Sequence, residues 1–162
     1  MIPFEPVIVP NTWDKRFLRL ALEVSTWSKD PNTKVGAVLV QDRNRVVSFG
    51  YNGFPRGIPD QPSLLNDRAY KNLVTVHAEV NALISAAGRL EPYGRLALYS
   101  TLPPCAQCMG ALLQSGVKEF VSLYPEAEQW ERWKESMLAA RELAEQLHDD
   151  RPWLLVRKEN LE

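Results

Sequence analysis

The sequence predicts an α/β protein: a three-layer α-β-α sandwich around a mixed five-stranded sheet, in one domain spanning residues 1–162. Three observations predict it. Helical and strand periodicities alternate along the chain in the order α-β-β-α-β-α-β-α-β, and strands separated by helices form a sheet covered on both faces. The length of 162 residues suits one ordinary domain. An apolar content of 45% is enough for a proper core.

Each element has its own signal. Residues 1–11 carry Pro3, Pro6 and Pro10 and read as an extended arm. From Thr12, the residues Trp13, Phe17, Leu20, Ala21, Val24 and Trp27 recur at helical spacing. Asp14 suits the first turn of that helix, and Asp30-Pro31-Asn32 ends it, because a residue before proline avoids the α region. Val35 to Gln41 and Val46 to Tyr51 read as strands joined by a hairpin turn at Asp42-Arg43-Asn44-Arg45. Residues 52–73, with Gly53, Pro55, Gly57, Pro59 and Pro62, form an irregular insertion of a length usually reserved for function. A helix runs from His77 to Ala87, with Gly88 as its C-terminal cap. Leu96 to Ser100 is a short buried strand. Pro103-Pro104 leads into a helix from Cys105 to Ser115 closed by Gly116, and Val117 to Leu123 is the next strand. Residues 126–162 supply a C-terminal helix and strand. Pro125 opens that helix, whose stripe of Trp130, Trp133, Met137, Ala140, Ala144 and Leu147 reads as core or subunit packing, and Trp153 to Arg157 is the last strand.

Bulk properties narrow the function classes. The two Cys residues both fall within one motif, so no disulfide framework is available and a reducing compartment, the cytoplasm, is expected. Met1 to Pro6 lack a basic region and a long apolar run, so no secretory leader is expected. No apolar stretch is long enough to span a bilayer. A net charge of −1 favours a small substrate over a polynucleotide, whose backbone calls for a basic face.

The chemistry concentrates in His77-Ala78-Glu79 and Pro103-Pro104-Cys105-Ala106-Gln107-Cys108. His77, Cys105 and Cys108 are soft ligands that suit zinc, and three protein ligands leave a fourth position for water. Cys105 and Cys108 are three apart and share one face of a helical turn. His77 and Cys105 each open a helix, so two helix N-termini can converge the three ligands, and the dipoles favour thiolates there. Glu79 lies in the first turn, free to move protons without being a ligand. Two other readings compete. A redox Cys-x-x-Cys pair has no need of His77 or Glu79. A structural zinc site wants a fourth ligand, and the remaining histidine, His148, sits far along in a charged stretch that reads as surface.

These runs resemble the dCMP deaminases of the cytidine-deaminase-like superfamily. Asp30-Pro31-Asn32-Thr33-Lys34-Val35-Gly36-Ala37 is similar to the family's first active-site loop and Gly50-Tyr51-Asn52-Gly53 to its second characteristic run. His77-Ala78-Glu79-Val80-Asn81-Ala82 and Pro104-Cys105-Ala106-Gln107-Cys108 resemble its metal centre, and the likeness covers roughly residues 12–125. The resemblance implies a cytidine-deaminase-like fold, one catalytic Zn2+ per chain, and hydrolysis of dCMP to dUMP and ammonia upstream of dTMP synthesis. It implies that Glu79 takes a proton from water, delivers it to N3 of the pyrimidine and helps the amine leave.

The resemblance also assigns further residues. Asn32 is similar to a sugar-contacting asparagine, or is an ordinary turn residue. Tyr124 either packs on the base or is a core-edge tyrosine. Arg68 and Lys71 either hold a 5′-phosphate or form a solvated helical face. Gly50, Tyr51, Asn52 and Gly53 either belong to a site for dCTP and dTTP effectors or shape a turn. The family precedent is a homo-oligomer, often a hexamer, with a nucleotide as the small-molecule partner. Some relatives carry a second, structural zinc in the insertion; none is expected here, since residues 52–76 lack Cys and His. The competing enzyme readings are deaminases of 5-substituted dCMP, dCTP, guanine or adenosine in tRNA. The competing non-enzyme readings are a silent regulatory homologue, which would not need Glu79, and a thiol redox module.

Overall fold

The computed structural model describes residues 2, 10–90, 94–146 and 153–162. Leu147, His148 and all of the expected arm except Ile2, Pro10 and Asn11 lie outside the described residues. The first helix, α1 (Thr12–Ser25), starts on a capping box: Asn11 Oδ1 accepts from the Asp14 N–H at 2.9 Å and Asp14 Oδ2 accepts from the Asn11 N–H at 3.0 Å. Its buried stripe is Phe17, Leu18, Ala21 and Val24. Trp13, Leu20 and Trp27, expected in that stripe, are exposed. Trp13 and Leu20 fall at the stripe's edge, and Trp27 comes after the helix has ended.

Strands β1 (Gly36–Gln41) and β2 (Arg45–Tyr51) form an antiparallel hairpin. Asp42 and Arg43 between them take positive φ values of 53° and 74°, the conformation that matches a hairpin's right-handed twist. The insertion is not irregular throughout. It contains α2 (Pro62–Asn66) and α3 (Arg68–Val74), the second capped by the Asp67 side chain accepting from the Tyr70 N–H at 3.0 Å. Prolines hid these helices from a periodicity reading, although Pro62 sits at the first helical position, where proline is tolerated.

Then come α4 (Ala78–Ala86), β3 (Leu96–Ser100), α5 (Ala106–Gln114), β4 (Val117–Leu123), α6 (Ala127–Glu145), β5 (Leu154–Val156) and a 3-10 turn (Lys158–Leu161). Gly88 follows the end of α4 at φ 77°, the left-handed position a glycine cap occupies. The five strands form one sheet in the order β2-β1-β3-β4-β5. β1 runs antiparallel to both its neighbours, whereas the β3–β4 and β4–β5 pairs are parallel, so the sheet is mixed as expected.

Alternation along the strands builds two cores. Val38, Val40, Ala97, Tyr99, Val121 and Leu123 face α1. Ala37, Leu39, Leu96, Leu98, Val117 and Phe120 face the other way, among buried residues of α4, α5 and α6. Burial on both faces explains why β1 reads as a continuous apolar run. Among the described residues no helix is long and apolar enough to cross a membrane.

Candidate active site

His77 is the N-cap residue of α4 and Cys105 the N-cap residue of α5, with Cys108 in the first turn behind it. The two helix starts meet, as the sequence requires if the three donors are to converge. His77 Nδ1 stands 3.6 Å from Cys105 Sγ and 3.4 Å from Cys108 Sγ, and all three donor atoms lie within 4.8 Å of one another. A tetrahedral zinc with bonds of about 2.0–2.3 Å has donor–donor edges of about 3.3–3.8 Å, so the set fits.

The thiols are primed for a cation. The Cys108 side chain beside it lowers Cys105 to about 4, with His77 and the Cys108 N–H assisting and burial opposing. Cys108 is pushed up by its neighbour Cys105 and by burial. His77 is raised, first by its contact with Cys105. A half-buried and a buried thiol that share a proton in this way present the charge a divalent ion neutralises.

Close approach of α4 to the sheet places this centre. A Cβ on Gly50 would lie 2.3 Å from the Ala78 carbonyl oxygen and 2.4 Å from the Ala82 nitrogen, so β2 lets the start of α4 rest directly on its backbone. Glu79, in the first turn, is only 4% exposed and lines the same cavity as His77 and Cys105. Burial drives its carboxyl up to about 7, against the opposing pull of its own backbone N–H and of His77.

The loop after α1 forms the facing wall. Asp30 Oδ1 accepts from the N–H groups of Asn32 at 2.8 Å and Thr33 at 3.0 Å. Lys71 of α3 donates to Asp30 Oδ1 at 2.9 Å and to Asn32 Oδ1 at 2.6 Å. The expected solvated alternative for Lys71 is therefore overturned: its side chain is 3% exposed and its ammonium is already engaged. Arg68, one helical turn earlier, is exposed and lines the cavity. Asn52 is buried and ties the loop to β2, accepting from the Val35 N–H and donating to the Thr33 carbonyl, each at 2.8 Å.

Tyr124 is not brought to this cavity. Its ring lies under the Arg157 guanidinium at 4.9 Å and packs against the Trp130–Met137–Leu155 cluster, and its N–H donates to the Val156 carbonyl at 2.8 Å, which keeps it beside β5. The Gly50–Gly53 run divides in role. Gly50 packs on α4, while Tyr51, Asn52 and Gly53 line a second cavity with Trp27, Lys29 and Arg56. Gly53 forms an antiparallel bridge with Val76, and a Cβ there would meet nothing within 4 Å.

Sequence reasoning missed the part played by α6. Trp133 sets its ring edge-on to His77, with centroids 6.2 Å apart, and Ser136 Oγ accepts from the Ala106 N–H at 2.9 Å, capping α5 behind Cys105. Arg132 lines the cavity and reaches Thr33 Oγ1 at 3.4 Å. The signal was present in Trp133, Ser136 and Met137, which share a face at helical spacing with a serine among apolar residues.

Comparison with known proteins agrees with this geometry. Residues 11–124 match the cytidine and deoxycytidylate deaminase zinc-binding region. The chain is 35% identical over 144 residues to an uncharacterized deaminase in the luxG 3′ region of Aliivibrio fischeri, covering 89% of this chain and 95% of that one. It is 44% identical over 108 residues to a probable deoxycytidylate deaminase of Caenorhabditis elegans, covering 65% of this chain and 54% of that one. It is 34% identical over 114 residues to human deoxycytidylate deaminase, covering 67% and 63%. The chain thus spans between about half and two thirds of the length of these last two relatives. In fold it is similar to the cyanophage S-TIM5 dCMP deaminase solved with dCMP and dUMP, with a TM-score of 0.68 at 21% identity over 93% of this chain and 99% of that one. A zinc-type donor set at two helix starts, a match over residues 11–124 and the identity to the Aliivibrio deaminase along almost its whole length lead to one conclusion: the chain belongs to the cytidine and deoxycytidylate deaminase zinc-binding family.

Proposed function

We propose that this chain hydrolyses the exocyclic amine of dCMP, so that dCMP and water give dUMP and ammonia, and thereby feeds dTMP synthesis. One observation carries the reading. A single cavity holds the His77–Cys105 edge of the donor set, the buried carboxyl of Glu79, and the cations Arg68 and Arg132. The relatives named deoxycytidylate deaminases support the nucleotide branch of the family.

Zinc held by His77, Cys105 and Cys108 would supply a Lewis acid that makes water a nucleophile near neutral pH. The remaining work falls to side chains. Glu79, at about 7, is suited both to take and to return a proton at neutral pH. It accepts a proton from the attacking water, passes it to N3 of the ring, and then serves the departing amine. Trp133 and the cap from Ser136 hold His77 and α5 in place. Asn32 meets the sugar. Lys71 is buried and engaged by Asp30 and Asn32, and Arg132 also pairs with Glu128 at 3.2 Å, so Arg68 is the first cation placed for a 5′-phosphate, where charge-assisted bonds are strongest, with Arg132 beside it.

Ammonia release from dCMP, dCTP, deoxycytidine, 5-methyl-dCMP and guanine tests the reading. dCMP should be preferred and deoxycytidine should be a much poorer substrate. Arg68→Ala should narrow that gap by weakening dCMP more than the nucleoside. Equal rates on dCMP and deoxycytidine would contradict the nucleotide assignment.

The second cavity, with Lys29, Arg56 and the aromatic rings of Trp27, Tyr51 and Phe54, suits a nucleoside triphosphate, and dCTP and dTTP are its proposed effectors. Exposed Trp27, Phe49 and Tyr51, around the sheet's edge strand, favour self-association into the homo-oligomer, a hexamer, of the family precedent. Thiol ligands suit the reducing cytoplasm.

A further inference from the structure

Lys71 is buried, and the atoms around its ammonium fix more than an ion pair. Its Nζ lies 2.6 Å from the Asn32 carboxamide and 2.9 Å from Asp30 Oδ1. An ammonium only donates hydrogen bonds. The carboxamide atom facing it must therefore be the oxygen, which settles the amide orientation by chemistry. The Asn32 NH2 group makes no hydrogen bond to any described residue, and Asn32 lines the cavity that holds Glu79 and His77. Asp30 holds the arrangement from behind, since its Oδ1 also takes the Asn32 N–H at 2.8 Å.

We infer that Lys71 is a positioning residue. By occupying the carboxamide oxygen it presents Asn32 to the cavity as a pure donor, which selects a ligand bearing an acceptor oxygen there. A free asparagine could flip and greet either a donor or an acceptor; this one has a single face to offer. On a nucleotide the acceptor is a sugar hydroxyl or a phosphate oxygen, and this part of the inference rests on the dCMP reading above.

The test has two arms, both on zinc-loaded protein. In 15N relaxation, the side-chain amide of Asn32, an exposed residue, should be ordered in the wild type through its bond to Lys71 and become markedly more mobile in Lys71→Met. An amide as mobile in the wild type as in the variant overturns the inference, whatever the enzyme's substrate. In the kinetic arm, Lys71→Met should raise KM for dCMP about tenfold, the cost of one good hydrogen bond, with kcat nearly held. Lys71→Met should add almost nothing in an Asn32→Ala background, because the two act as one unit. Full additivity overturns it. Asn32→Asp keeps a partner for Lys71 but turns an acceptor to the ligand, so it covers the case in which Lys71→Met fails to fold. Its rise in KM should vanish on 2′,3′-dideoxy-CMP if the acceptor is the hydroxyl, or on deoxycytidine if it is the phosphate. An equal rise on all three compounds contradicts the donor role. Wild-type protein that releases no ammonia from dCMP defeats the substrate reading alone, and the relaxation arm still decides this one.

Discussion

Glu79 shows how burial brings an ordinary carboxylate into the range a proton carrier needs. In water a glutamate is ionised at neutral pH and returns a proton poorly. At 4% exposure, the cost of desolvating the charge brings it to about 7. Glu79→Gln removes the exchangeable proton while keeping the shape, so the variant should retain its zinc and lose about 10²–10⁴-fold in turnover. Metal analysis beside an ammonia assay checks both halves, and near-normal turnover would remove Glu79 from the mechanism. Cys105→Ala or Cys108→Ala should behave differently, losing zinc and activity together, because two ligands and a water hold the ion weakly. Full zinc content in either variant would mean that another residue completes the site. The donor set was legible in the sequence because a metal centre needs particular atoms at particular spacings, and His77, Cys105 and Cys108 supply them from two helix starts. Lys71 was only half legible. The sequence set it three residues from Arg68 in the insertion, but only the fold brings residues 30 and 71 into contact.

Elements position these groups, and two contacts do most of it. One is β2 against α4 at Gly50, where a methyl group would collide with helix backbone that cannot turn aside. Gly50→Ala should therefore cost about 1–3 kcal/mol by chemical denaturation, the usual penalty for overpacking, and should weaken zinc retention because the start of α4 must move. Unchanged stability would mean the strand yields freely. The other contact ties the loop after α1 to α3. Burial alone would raise Asp30, but the hydrogen bond from Lys71 and the N–H groups of Thr33 and Asn32 outweigh it and hold the carboxyl below its ordinary value of 3.8. A depressed carboxyl contributes stability that is fully present above the unfolded-state value and is lost as pH falls through the folded-state value. Thermal melts from neutral pH downward should show the wild type losing its margin over Asp30→Asn below about pH 4, and parallel curves would remove the pair from the acid response. The strands and long helices were legible because their periods are set by local geometry. α2 and α3 were not, since short helices rich in turn residues leave no period, and α6 was misjudged because Trp133 looks like core until its ring is seen against His77.

At the scale of the whole molecule, two cavities share one wall. Asp30, Asn52, Lys71 and Thr75 line both the catalytic cavity and the second one beside Lys29 and Arg56. A ligand in the second cavity that binds one arrangement of this wall better than another must shift the catalytic side, and a ligand that binds both equally shifts nothing. If dCTP and dTTP favour opposite arrangements, the dCMP curve should be sigmoidal alone, rise in affinity with dCTP and be depressed by dTTP. Gly53 offers a way to separate this cavity from the fold itself. A Cβ there would meet nothing within 4 Å, so the backbone leaves room for a substitution, yet Gly53 lines the second cavity and valine would fill space that a triphosphate needs. Gly53→Val should keep its zinc and its melting temperature and lose both effector responses together. Titration of initial rates with each triphosphate, on wild type and variant, checks this: a variant that still answers to dCTP places the effector elsewhere, and a hyperbolic wild-type curve indifferent to both triphosphates makes this enzyme an unregulated one while leaving the deaminase chemistry as it stands.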